Sequence, residues 1–350
     1  MTTVAAGTIR ALFSTRRPID RPIEKVIDYY ATDAQRLLME IEEYEVTENV
    51  QRNVRRFLDA YGAGVSTGQV TETSIWVSGF YGSGKSSFTK YLGFALDPSR
   101  TVDGRPFIDL LAERIGRLDV RQELKTLAAR HPTAVIMLDL GAEQLAASAT
   151  TSISTVLYWK VLQWAGYSKE EKLAHLELRL ERDGRLDEFR HAHQETFGAA
   201  WETVHNDPLV GVQRADRLVP HFYPQEFPQP GIFSKLKFSL AIDLRDRVAE
   251  MLDLVRRKSG HQNVLFLIDE AGQYVAPRGD LILNLDGLAR NVKELGQGRA
   301  WIVATGQQTL TRSSNGQPTI QPSSTSYATA FPYPLSWTRA TSGRSPGSAS

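Results

Sequence analysis

The residues best suited to chemistry lie in one short stretch, Gly79-Phe80-Tyr81-Gly82-Ser83-Gly84-Lys85-Ser86, with Ser87 directly after it. This matches the pattern G-x-x-x-x-G-K-[ST] in full. Glycines at these spacings let backbone N–H groups close around phosphate oxygens, and a helix opening at Lys85 would aim its first donors at the same anion. Lys85 would reach the β- and γ-phosphates, and Ser86 would ligate Mg2+. The pattern requires a strand before it and a helix after it. Ser74-Ile75-Trp76-Val77-Ser78 is apolar and β-favouring, whereas Phe88, Tyr91, Leu92, Ala95 and Leu96 recur at helical spacing, so both flanks agree. A chance glycine-rich turn would lack them.

Hydrolysis of a bound triphosphate also needs a carboxylate near Mg2+ and a group that orients water. Two apolar runs end in aspartate. Thr133-Ala134-Val135-Ile136-Met137-Leu138-Asp139 is followed by Leu140, and Val264-Leu265-Phe266-Leu267-Ile268-Asp269 is followed by Glu270. Adjacent carboxylates at a strand end can divide the work, Asp269 holding Mg2+ and Glu270 polarising water. Asp269 is therefore assigned the Walker B role, with Asp139 kept as the alternative. A further apolar run, Ala300-Trp301-Ile302-Val303-Ala304-Thr305, ends in polar residues that make Thr305 and Gln307 candidate γ-phosphate sensors. No Asn-Lys-x-Asp guanine-reading sequence occurs, which favours ATP over GTP. Arg290 and Arg299 lie near this segment, but nothing singles out an arginine finger. His191 and His193 fall on different faces of one expected helix without a third ligand, which argues against a metal site there.

These groups need a scaffold. Four continuous apolar strands separated by helices predict an α/β fold with a parallel sheet covered on both faces, as in a P-loop NTPase. Before the first strand, residues 24–43 and 48–61 read as helices, the second capped by Thr47. They make residues 1–65 a helical lead-in, and residues 66–311 the phosphate-loop domain. A mostly helical insertion occupies about 150–260, with helices expected near 152–165, 169–181 and 185–197. Pro220-His221-Phe222-Tyr223-Pro224 through Gly231 reads as a packed surface loop, and 234–258 as another helix. Arg256, Arg257 and Lys258 at that helix's end complement its dipole. From residue 312 onward there is no Asp, Glu or Lys, and Ser, Thr and Pro supply more than half of the residues. No packed structure is expected in that tail.

Bulk properties add bounds. The 350 residues are 41% hydrophobic, enough for a substantial core, and 41 basic against 40 acidic side chains leave a formal charge of +1. That balance makes no global case for nucleic-acid or membrane binding, although a local DNA contact stays open. No cysteine is present, so disulfide, thiolate and cysteine–zinc chemistry are excluded. With no long apolar run and no secretory signal pattern, a cytoplasmic location is expected.

The ordered set of motifs resembles the P-loop ATPase of BREX bacteriophage-defence systems, the BrxC or PglY type. The resemblance rests on Ile19-Asp20-Arg21-Pro22-Ile23, Trp76 through Ser86, Leu267-Ile268-Asp269-Glu270 with Gly272-Gln273-Tyr274, and Gly306-Gln307-Gln308-Thr309-Leu310. It implies an AAA+-like fold of the catalytic-glutamate type, ATP and Mg2+ as ligands, and hydrolysis supported by Lys85, Ser86, Asp269 and Glu270. It also implies work beside other BREX components, including a DNA methyltransferase. Family members are far longer than this chain, so a fragment lacking a helical lid, with a tail continued out of frame, is the accompanying expectation. Two other classes remain open: a P-loop kinase using Asp139, and a scaffold that binds nucleotide without turnover.

Overall fold

The computed structural model describes residues 33–69, 72–143, 151–237, 243–276, 278–312, 318–322 and 333–337. Ile19 to Ile23, and the part of the first expected helix before residue 33, lie outside them. The lead-in comprises α1 (Ala34–Glu43) and α2 (Glu48–Thr67). Thr47 caps α2 as its position suggested, its hydroxyl accepting from the Val50 N–H at 3.3 Å. Then come β1 (Ser74–Gly79), α3 (Lys85–Leu96), a two-strand hairpin of β2 (Thr101–Val102) and β3 (Arg105–Pro106), α4 (Phe107–Arg114) and α5 (Leu118–Arg130). The second core strand is β4 (Thr133–Asp139), followed by the short α6 (Leu140–Glu143).

The insertion contains α7 (Ile153–Trp164), α8 (Glu171–Arg182), α9 (Leu186–Phe197), α10 (Val210–Phe222) and α11 (Ile232–Lys235), and α12 (Leu244–Ser259) returns the chain to the sheet. The last segment is β5 (Asn263–Asp269), α13 (Ala271–Val275), α14 (Gly279–Gly296), β6 (Ala300–Arg312), β7 (Pro318–Pro322) and β8 (Tyr333–Trp337).

The sheet order is β4-β5-β6-β1-β8, with β7 paired antiparallel to β6. β4, β5, β6 and β1 form an all-parallel core, and β8 extends it in the same direction. Side chains alternate between two cores because strand periodicity is two. Ala134, Ile136, Phe266, Ile268 and Ile302 face α7, α12 and α14, whereas Val135, Met137, Leu265, Leu267 and Val303 face α2, α3, α4 and α5. Both faces are thus apolar, which is why the strands read as uninterrupted hydrophobic runs.

α3 packs tightly on the second face. A Cβ on Gly93 would stand 2.4 Å from Leu267 Cδ1 and 2.8 Å from Met137 Cε, so this glycine sets the distance between helix and sheet. Among the described residues, no helix is long and apolar enough to cross a membrane.

Two expectations are corrected here. The proline-rich connection is partly helical, since α10 continues through Pro220 to Phe222. Its aromatic residues are core material: Phe222 and Tyr223 join Leu173, Phe189 and Trp201 in a third buried cluster belonging to the insertion, and Phe227 packs against it. The segment after residue 311 does contain regular structure. β8 ladders onto β1 from Ile75 opposite Tyr333 to Gly79 opposite Trp337, and Leu335 is only 2% exposed. Low charge does not by itself prevent pairing, because a short aromatic-flanked run needs only an open strand edge and one apolar face. The rest of the tail lies outside the described residues.

If β8 is part of the sheet in solution, Leu335→Ala should cost roughly 2–4 kcal/mol, the usual range for emptying a buried leucine site. Urea unfolding would measure it. An unchanged midpoint would detach β8 from the core.

Candidate functional site

At the C-terminal ends of the parallel strands, where open α/β sheets present their binding crevices, the glycine-rich loop and the Asp-Glu pair face the same region. The loop runs from Gly79 at the end of β1 to Lys85 at the start of α3. Gly82 and Gly84 have φ of 71° and 88°, in the left-handed region that side chains disfavour. No side chain caps the N-terminus of α3, and no acidic residue stands in its first turn. Its leading N–H groups therefore offer donors and partial positive charge to an anion.

Lys85 is 8% exposed, and its ammonium donates to the carbonyls of Gly79 and Phe80, both at 3.0 Å. Burial lowers its pKa, against the pull of Asp269 and Glu270, which favours the charged form. The Ser83 hydroxyl oxygen is buried with no hydrogen-bond partner. An orphan of this kind, beside an uncapped helix start and a desolvated lysine, fits an anionic group seated in the loop. Tyr81, in contrast, is 82% exposed at the loop's tip.

The carboxylates sit two strands away. Asp269, 6% exposed, ends β5, and Glu270 opens the turn into α13. The Thr305 hydroxyl donates to Asp269 Oδ1, and its oxygen, Thr305 Oγ1, accepts the Glu270 N–H at 2.9 Å. Glu270 has φ 56° and ψ 21°, a left-handed backbone that costs a non-glycine residue about 1–2 kcal/mol. The pKa of its carboxyl is raised, first by burial, then by the negative charges of Asp269 and Asp139, and is partly offset by Lys85. Glu270 therefore holds a proton to higher pH than an exposed glutamate does.

Asp139 is in register with Asp269 across the β4–β5 ladder. Its Oδ1 accepts from the N–H groups of Gly141 at 2.9 Å and Ala142 at 3.2 Å, so this carboxylate caps α6. It also stands three strands from β1, one farther than Asp269. Gln307 lies opposite Gly79 in the β1–β6 ladder and is half-buried, while Thr305 lies opposite Val77 and is 2% exposed. The two expected sensors thus differ: Gln307 is beside the loop, and Thr305 is committed to the carboxylate pair.

Three glycines complete the arrangement. A Cβ on Gly141 would come within 2.2 Å of Glu270 Oε2 and 3.2 Å of Asp139 Oδ1, so the bare α-carbon makes room for the Glu270 carboxylate. On the far side, Gly306 and Gly272 approach closely over Trp76; a Cβ on Gly306 would stand 2.4 Å from Trp76 Cζ2. These contacts seat the turn containing Glu270 against β6. Gly141 cannot be singled out from spacing alone, whereas Gly272 and Gly306 belong to motifs quoted above.

Arg290 is an exposed residue of α14 paired with Asp286, and no described contact brings it to the loop. His193 is buried in the insertion, with Nδ1 bonded to the Ala199 carbonyl, away from His191, which pairs with Glu195. Among the described residues no cluster of three or more His, Cys, Asp or Glu forms a metal site. No known protein-family model matches the chain.

Gly141→Val should displace the Glu270 carboxylate by overpacking while leaving the glycine-rich loop intact. The cost in stability should be roughly 1–3 kcal/mol. Phosphate-release assays should show a greater loss than anion-binding titrations, and equal losses in both would indicate a general collapse of the strand ends.

Proposed function

We propose that this chain binds Mg·ATP and hydrolyses it to ADP and phosphate. The observation that carries the reading is the shared edge: an uncapped helix start and buried lysine on β1–α3 stand across one intervening strand from an Asp-Glu pair on β5. At a strand spacing of about 4.8 Å, that strand separates the loop from the carboxylates by roughly 10 Å. The gap suits a γ-phosphate, its metal ion and a water molecule. β6 also makes the sheet one in which an additional strand separates the loop strand from the carboxylate strand, in keeping with the catalytic-glutamate class.

In this reading Gly79 to Ser87 bind the phosphates, Lys85 places its charge on the β- and γ-oxygens, and Ser86 with Asp269 holds Mg2+. The metal ion, when bound, neutralises charge developing on the phosphoryl oxygens. Glu270 orients the attacking water and takes its proton. Gln307, level with Gly79, is suited to hydrogen-bond the γ-phosphate. The kinase alternative needs Asp139 at the metal, but that carboxylate is engaged as a helix cap and lies farther from the loop.

The resemblance to BREX ATPases extends the proposal to a role in bacterial phage defence, beside a DNA methyltransferase and other components. Its support is the order and identity of the motifs. Co-purification with those components would test it, and persistent absence from such complexes would remove it.

Lys85→Ala should abolish measurable Mg·ATP binding in equilibrium titration, because it deletes the charge around which the loop is built. Glu270→Gln should retain ATP and slow hydrolysis roughly 100-fold or more, the scale of a general base. The acid limb of kcat/KM should lie above the ordinary carboxylate range, since the raised pKa of Glu270 leaves less ionised base at low pH. Loss of turnover in Asp139→Asn, with Glu270→Gln unaffected, would replace this assignment with the kinase-like one.

A further inference from the structure

Thr305 lies on β6, directly beside β5, whose end carries both groups it serves, Asp269 and Glu270. Its hydroxyl has one proton and two lone pairs. Asp269 Oδ1, as a carboxylate oxygen, can only accept, and the Glu270 N–H can only donate. The direction of both bonds is therefore set by their partners: Thr305 donates to Asp269 and accepts from Glu270. Burial to 2% exposure removes water as a substitute for either bond.

We propose that Thr305 is a positioning residue: one buried hydroxyl fixes the metal-side carboxylate and the left-handed turn that aims the water-side carboxylate. The idea rests on the Mg·ATP hydrolysis reading above. It gives the residue a role different from contact with the γ-phosphate. The Asp269 oxygen is held toward β6, and the Glu270 N–H is held down on the same strand. With its amide pinned at φ 56°, Glu270 projects its carboxylate over Gly141, where Asp139 and Lys85 also exert their charges. Without the hydroxyl, the Glu270 N–H loses its acceptor, and the left-handed backbone is held only by the contacts of Gly272 with Gly306 and by the Tyr274 N–H on the Glu270 carbonyl, so residue 270 relaxes toward an ordinary turn. Serine preserves both bonds, whereas valine keeps the shape and loses both.

The test compares Thr305→Val, Thr305→Ser and Thr305→Ala in the full chain by amide hydrogen exchange and by Mg·ATP kinetics. Exchange at the Glu270 amide should accelerate roughly 10-fold or more in the Val and Ala variants, matching the loss of a hydrogen bond to a buried donor. It should stay at the parent rate in the Ser variant. The amides of Leu265 and Val303 should be unchanged in all three, which separates a local release from unfolding of the sheet.

In steady state, Thr305→Val should lower kcat roughly 10- to 100-fold with little change in KM, on the same energetic scale. Serine should restore it. Combined with Glu270→Gln, Thr305→Val should have almost no additional effect, because the group it positions is already gone.

Unchanged protection of the Glu270 amide in Thr305→Val and Thr305→Ala would overturn the proposal, whatever the kinetics show. A loss of Mg·ATP binding as severe as that of Lys85→Ala would also overturn it, since Thr305 would then act on the nucleotide. If the parent chain hydrolyses no ATP, the hydrolysis reading fails. The exchange experiment still decides whether Thr305 holds the turn.

Discussion

The spacing of the parallel ladder is the constraint from which the site follows. Hydrogen bonding keeps neighbouring strands about 4.8 Å apart. With β6 laddered to both β1 and β5, the distance from the glycine-rich loop to the Asp-Glu pair is set by backbone geometry instead of by long, adaptable side chains. The two apolar layers on either face keep that ladder flat against its helices. Tight seating of α3 at Gly93 carries the same rigidity to the first turn of the helix, where the backbone donors converge. Charge is then concentrated at the strand ends. One lysine with its pKa lowered by burial faces one glutamate with its pKa raised by burial and by two carboxylate neighbours.

Much of this was legible because the strong signals are local. The loop is a contiguous motif with the correct flanks, and the four core strands are long apolar runs that only a sheet buried on both faces would use. The insertion helices were also readable to within a residue or two, since α7, α8 and α9 carry clear helical spacing and turn signals between them. Long-range pairings were harder to read. Thr305 looked like a polar strand end available to a ligand, and nothing in its neighbours along the chain reveals that its hydroxyl is consumed by Asp269 and Glu270. Gly141 was invisible for the same reason, because the atom that needs its empty side belongs to residue 270. In β8 composition and pattern point in opposite directions: a tail rich in serine, threonine and proline still supplies one short segment whose leucine enters the core.

The insertion shows how chain inserted into a sheet protein can remain anchored to it. Its own apolar cluster is built from α8 to α11, and a buried carboxylate organises one end of it: Glu177 accepts from the Ser168 N–H and from the Trp201 and His205 rings. Tyr167, Ala174 and Leu178 enter the buried cluster that α7 and α12 form with the sheet, and polar contacts add to that connection. Lys258 meets Glu181 at 2.6 Å, and Arg182 pairs with Glu250, joining α8 to α12. The basic run at the end of α12 thus does more than offset the helix dipole, although exposed pairs of this kind contribute modestly to stability. Their value lies in orientation, since a charged contact between two helices penalises rotation of one about the other.

The position of β1 has a consequence for the order in which the molecule is made. This strand carries the loop, yet both of its sheet neighbours, β6 and β8, follow it in the sequence only after the insertion and β5. Local helices can form as the polypeptide emerges, but the strand bearing the glycine-rich loop has no sheet partner until β6 has left the ribosome, after the insertion and β5. Such high contact order slows folding and leaves Ile75 and Val77 exposed in the interval. The glycine-rich loop and the Asp-Glu pair are therefore brought together only once β6 has been made, and a nascent chain should need chaperone shielding at β1 throughout that interval.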